Sequence, residues 1–191
     1  MPLLYKTVRR PRNPKFLALT GVSIYPLSLL GGRQAFISDM GFTPAYGSFS
    51  SRTTQAIPAG TTTLLTYDRT DVASRIALVG TLPTERIQVQ DTGVYRLLYS
   101  VQLNHTGGGL GDTTIFTRVN TTPAPNTGTY TVIRAAEELV MTAEFLLSLN
   151  ANDVVSVCAS SITPGNEASA ITGGVGIPDS PSIVTIIQRI A

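Results

Sequence analysis

Charge is scarce in this chain. Asp, Glu, Lys and Arg make up 14% of its 191 residues, against about a quarter in ordinary globular domains. The surface must therefore be covered by Thr, Ser, Asn, Gln and Gly, or be hidden against other subunits. A single cysteine, Cys158, excludes an intrachain disulfide framework and a cysteine-cluster zinc site. It stands in Val154-Val155-Ser156-Val157-Cys158-Ala159 and reads as a small apolar residue of a strand. His105 is the only histidine, so imidazole-based metal binding has no second ligand, and any Ser-His-Asp or Cys-His arrangement would have to use it. We read it as a loop-edge residue. The chain has no Gly-x-Ser-x-Gly elbow and no Asp-x-Asp-x-Asp calcium loop. Gly107-Gly108-Gly109-Leu110-Gly111-Asp112 lacks the Gly-x-Gly-x-x-Gly spacing of a nucleotide loop and reads as a hairpin loop. Close carboxylates are limited to Asp68 with Asp71, read as a hydrated turn, and Glu137-Glu138 with Glu144, read as a loop-to-strand junction. We expect no enzyme activity, no metal and no cofactor.

Long apolar runs are missing too. Residues 16–30 superficially resemble a secretory signal, but Tyr25, Pro26 and hydroxyl residues interrupt them and no clear small-x-small cleavage site follows. The stretch is too short and too polar for a transmembrane helix. We expect it to be retained.

Threonine, by contrast, is abundant, with 26 copies, and its branched Cβ suits a half-buried strand. Apolar residues reach 42%, enough for a sizeable core in one domain. Five of the fourteen basic residues, Lys6, Arg9, Arg10, Arg12 and Lys15, fall in the first fifteen positions, and no acidic residue precedes Asp39. Residues 16–191 carry nine Arg against twelve acidic residues, so a +5 arm precedes a body of −3. Pro2, Pro11 and Pro14 keep the arm extended. We divide the chain into a basic arm (1–15), a Gly/Pro-punctuated connector (16–48) and a strand-rich body (49–191).

In the body, Tyr95, Leu97, Tyr99, Val101 and Leu103 alternate with Val94, Arg96, Leu98, Ser100 and Gln102, a period-2 pattern that predicts a strand over 93–104. A second strand is predicted over 113–120. Residues 135–149 fit both a helical stripe and strict alternation. We favour a strand, because the Asn150-Ala151-Asn152-Asp153 turn leads straight into β-rich Val154–Ala159. The run Ser182–Ile190 reads as a strand buried on both faces. Eight to ten strands with turns every 8–12 residues imply an antiparallel β-sandwich, a single jelly roll.

Three stretches resemble the globular heads of C1q and tumour-necrosis-factor-like proteins. Ile87–Tyr95 is similar to that family's apolar strand, Gly-x-Tyr turn and following strand. Leu147–Val155 is similar to its "leucine, x, Gly-Asp-x-Val" hairpin, with Asn152 in place of the usual glycine, the next-best residue for a left-handed position. Ile183–Ile190 is similar to the family's last strand, whose neighbours pack at the trimer axis. The resemblance implies a jelly roll that self-associates, with Ile183, Thr185 and Ile187 near an oligomer axis. Viral particles also use single jelly rolls with a basic N-terminal arm, and the arm here is more similar to that use.

Two expectations follow. The first is a structural capsid protein of a virion, a homo-oligomer (trimer or pentamer) tied to other capsid proteins by Lys6, Arg9, Arg10, Arg12 and Lys15. Five arm charges also suffice for weak, salt-sensitive nucleic-acid contact. The alternative is a C1q/TNF-like trimeric recognition head, secreted or on a cell surface, that binds a glycan or receptor through its loops.

Overall fold

A computed structural model describes residues 43–191. The arm and its basic residues Lys6, Arg9, Arg10, Arg12 and Lys15 lie outside the described residues, as does all but the end of the 16–48 connector. The unit Pro44–Ala191 is built from strands alone. In chain order they are β1 (Tyr46–Ser51), β2 (Gln55–Ile57), β3 (Thr62–Leu64), β4 (Arg69–Ser74), β5 (Ile76–Leu78), β6 (Ile87–Val89) and β7 (Gly93–His105). They continue with β8 (Leu110–Val119), β9 (Thr122–Pro123), β10 (Thr129–Arg134), β11 (Glu138–Leu149), β12 (Val154–Ser160), β13 (Asn166–Ala168) and β14 (Ile183–Arg189).

The strands pair antiparallel into two sheets. In the first, β7 carries β11 along one side and β14 and β13 along the other, and the order continues through β14 to β1 and β4, with β2 on β13. The second runs β10-β8-β12-β6-β5, with β3 also on β12 and β9 on β8. This is the jelly-roll sandwich that the alternation implied. Its core lies between the sheets, where Tyr95, Leu97, Tyr99, Val101 and Leu103 of β7 are wholly buried, as are Ile115, Val155, Val157, Ile87 and Val89 of the second sheet. Polar tips are satisfied inside: the Tyr67 hydroxyl meets Thr185 Oγ1 at 2.7 Å, and Tyr95 donates to the Asp91 carbonyl at 2.7 Å.

The ambiguous 135–149 segment is a turn followed by β11. Its inward residues Met141, Leu147 and Leu149 are buried, and all twelve residues of β11 pair with β7. Sheet pairing thus overrides the helix propensity of Ala135–Leu139. Asn152 adopts φ +72°, the left-handed conformation that its place in the glycine position demanded, and its amide donates to the Val89 carbonyl at 2.8 Å.

Several expectations need correction. The run at 182–190 is buried on one face only, because the second sheet covers only the inner face of the first. Ile183, Thr185 and Ile187 face the core and are fully buried, while Ile186 between them is 45% exposed. The pair Asp68 and Asp71 does not form a single turn: Arg69–Ser74 is β4, laid on β1, and Arg69 pairs with Asp71 at 3.1 Å. The Gly107–Gly109 loop is not a hairpin, since β7 and β8 belong to different sheets. His105 is not at a loop edge. It ends β7 and is 1% exposed, because β13 closes over it.

One flaw in the core invites repair. Thr113 and Thr117 point inward from β8, and neither buried hydroxyl has a hydrogen-bond partner among the described residues. A buried hydroxyl without a partner loses its hydration and gains nothing in return. Replacing Thr113 by its apolar isostere Val should stabilise the domain by about 1 kcal/mol, a rise of roughly 2–4 °C in Tm measured by calorimetry.

Candidate functional site

On the outer face of the first sheet, apolar and small hydroxyl residues line up across five paired strands. Side chains on a strand alternate between faces, so each inward-facing core residue leaves its neighbours outside. The registers place Val72, Ser48, Ile186, Leu98 and Glu144 in one row across β4, β1, β14, β7 and β11. Ser50, Val184, Ser100 and Thr142 form the next row, and Ser74, Tyr46, Gln188, Arg96 and Leu146 the row on the other side. Five strands at about 4.8 Å spacing make this face roughly 19 Å wide. Val72, Ile186, Leu146 and Tyr46 are exposed on it.

Charge on these rows is nearly neutralised within the sheet. Arg96 on β7 grips Glu144 on β11 through two bonds of 2.7 Å, Nε to Oε1 and Nη2 to Oε2. Arg96 holds the Glu144 carboxyl below its usual range, and Glu144 in turn raises Arg96. Thr142 donates to Ser100 Oγ at 3.3 Å. A face of aliphatic, hydroxyl and paired charged groups can lose its water against a copy of itself without stranding a charge.

The expected axis residues Ile183, Thr185 and Ile187 sit on the strand at the centre of this face, but their side chains point into the core. The residues that a neighbour could touch are the alternate ones, Val184, Ile186 and Gln188. The sequence offered a signal for this, since Ile183, Thr185 and Ile187 share the period-2 phase of a buried face. A run so rich in Ile and Val hid that phase.

The buried end of the sandwich holds a polar cluster that the sequence did not reveal. Asn166 Nδ2 donates to Ser161 Oγ (2.6 Å), the Asp112 carbonyl (2.8 Å) and the Thr163 carbonyl (3.0 Å). That orients its Oδ1 toward His105 Nδ1, 2.9 Å away, so Nδ1 carries the proton. The Asp112 carboxylate accepts from Thr163 N (2.9 Å) and from Ile162 N and Ser161 Oγ (each 3.2 Å). Burial pushes this carboxyl up, but the bonds from Thr163, Ile162 and Ser161 outweigh it and hold it below its usual range. Serine, histidine and aspartate thus share one cluster, yet Asn166 stands between His105 and Ser161. The arrangement bonds the end of β7 to β8 and to the segment after β12. It presents no activated hydroxyl at a surface.

Cys158 is fully buried in β12, and burial pushes its thiol up to about 11. The unfolded thiol titrates near 9.0, so above that pH the native state holds a proton the unfolded chain has lost. This contribution to stability is therefore complete below pH 9 and fades as pH climbs toward 11. Urea midpoints should fall over that interval in the native protein and fall less in Cys158→Ala.

No protein-family model matches this sequence, and no curated protein does. Solved structures are similar in fold. Murine APRIL, in its pH 8.0 crystal structure, aligns with a TM-score of 0.51 and 11% identity, over 78% of this chain and all of that one. Its pH 5.0 crystal structure gives 0.50 and 10%, with the same coverage. The globular domain of zebrafish complement 1qA aligns at 0.49 and 14%, over 78% of this chain and 98% of its own. The chain shares the jelly-roll fold of murine APRIL. These likenesses lend no support to the expected capsid role or virion location.

Proposed function

We propose that this chain is the body of a homo-oligomeric, non-enzymatic recognition protein, a C1q/TNF-like head that associates as a trimer. The outer face of the first sheet would be its contact surface, and the opposite sheet and the loops would be left for a ligand. The observation that carries this reading is the uncovered row Val72–Ser48–Ile186–Leu98, flanked by Leu146 and Tyr46, on a protein with so little surface charge. Likeness in fold to murine APRIL supports it, as does the resemblance of residues 87–95 and 147–155 to C1q/TNF-like heads. A secreted or cell-surface location fits this reading. The basic arm would then tether the head to a neighbouring component through Lys6, Arg9, Arg10, Arg12 and Lys15.

The test is the native mass of the full-length protein by light scattering after size exclusion. Three times 20.3 kDa is the expected result. A monomer would overturn the proposal, and a pentamer or large closed shells would return the protein to a particle.

A further inference from the structure

The outer face of the second sheet carries a cleft of about 340 Å³, within the roughly 300–1,000 Å³ of small-molecule sites. Ser156 of β12, almost fully buried, lies at its floor. Arg118 of β8 and the following Asn120 and Thr121 line one side, and Glu85 and Arg86, just ahead of β6, line the other. The site is built within one protomer, on the sheet opposite the self-association face, so it does not depend on the oligomer proposed above.

One of its two cations is held in place by packing, and the other, Arg86, is exposed. Arg118 lies over the Phe116 ring, 5.7 Å from the centroid, and cation–π stacking of this kind holds the guanidinium plane. Its Nε–H is buried and meets no acceptor among the described residues. Among the described residues, neither Arg118 nor Arg86 belongs to an ion pair. The neighbouring turn is rigid. Asn120 sits at φ +56°, donates from Nδ2 to Asp153 Oδ1 at 3.0 Å and accepts from the Val154 amide at 3.0 Å. Two guanidinium groups facing one cleft select a carboxylate or phosphate. Glu85 in the same cleft opposes a bare anion but accepts hydroxyl donors, and Ser156 and Thr121 supply further hydroxyl partners.

From this set of groups we infer that the cleft binds a small carboxylate bearing several hydroxyls, the chemistry of an acidic sugar. The carboxylate would lie against Arg118 and Arg86, and the hydroxyls would donate to Glu85. A neutral sugar leaves both cations unanswered. A compact anion without hydroxyls meets Glu85 with nothing to offer it.

The probe is glucuronate, titrated into the full-length protein and followed by amide NMR shifts, with glucose and inorganic sulfate as controls. Saturable shifts at Arg118, Asn120 and Ser156, with a Kd of about 1 mM, are expected for glucuronate alone. Arg118→Gln should weaken binding about tenfold or more, and Arg86→Gln, at an exposed position that leaves the Phe116 stack intact, several-fold. No saturable shift at these residues would overturn the assignment. Equal binding of sulfate, or binding unchanged in Arg86→Gln with Arg118→Gln also intact, would overturn it too.

Discussion

Ile186→Arg is expected to turn the oligomer into a folded monomer. Ile186 stands in the middle strand of the first sheet, with Ser48 of β1 on one side and Leu98 of β7 on the other. Its side chain is 45% exposed in the isolated protomer, so the monomer has room for a longer residue, and the cost to the fold stays within about 1 kcal/mol. In an assembly packed through this face the same position is central and dry. Each copy would then bury a guanidinium with no acceptor, because Glu144, in the same row, is already held by both bonds to Arg96. Breaking the match of a desolvated centre costs on the order of 2–4 kcal/mol per contact, enough to dissociate a micromolar oligomer. Light scattering should read 20.3 kDa with an unchanged circular dichroism spectrum. Tyr130→Arg, exposed on β10 of the opposite sheet, should leave the mass as it was. An Ile186→Arg protein that kept the native mass would remove this face as the contact surface.

The second large effect is expected inside the protomer. A Cβ at Gly111 would lie 2.5 Å from His105 Nδ1 and closer still to Asn166 Oδ1, where no side chain fits. Both atoms belong to buried groups: Asn166 is tied down by three further bonds and His105 is enclosed by β13. Gly111→Ala must therefore push the imidazole and carboxamide apart, adding overpacking to the loss of a buried hydrogen bond. We expect a cost of about 3–4 kcal/mol and a fall in Tm of roughly 10 °C. Gly108→Ala is the control. Nothing lies within 4 Å of a Cβ there, and stability should move by less than about 0.5 kcal/mol. Comparable thermal losses in both variants would refute the packing argument.

These two sites differ in how far the sequence foretold them. The alternation of β7 could be read directly, residues 135–149 fit helix and strand alike until the turn after them is weighed, and the left-handed place of Asn152 comes from the resemblance to C1q/TNF-like hairpins. Each rests on a local rule, either side-chain period or backbone sterics. The inner phase of β14 was readable in principle, but Val184 and Ile186 are as apolar as Ile183 and Ile187, and periodicity separates two faces only when their polarity differs. The polar cluster was not readable at all. Asp112, Ser161 and Asn166 are spread over 55 positions and meet His105 only because β13 lies beside the end of β7. Arg118 was likewise unremarkable in sequence, although Phe116, two residues earlier, marks the same face of one strand.

By itself the sequence determined the material of the fold: an all-β body with few charges and a core laid down by alternation. Those properties follow from residue type and from spacing along the chain. Tertiary structure decided which face of each apolar strand was covered, because one face of each sheet meets the other sheet across the core and the opposite face does not. It also decided which polar groups met, as with Asn166 and His105 across 61 positions. Such meetings depend on strand order in the sheets, which the local pattern of residues does not encode.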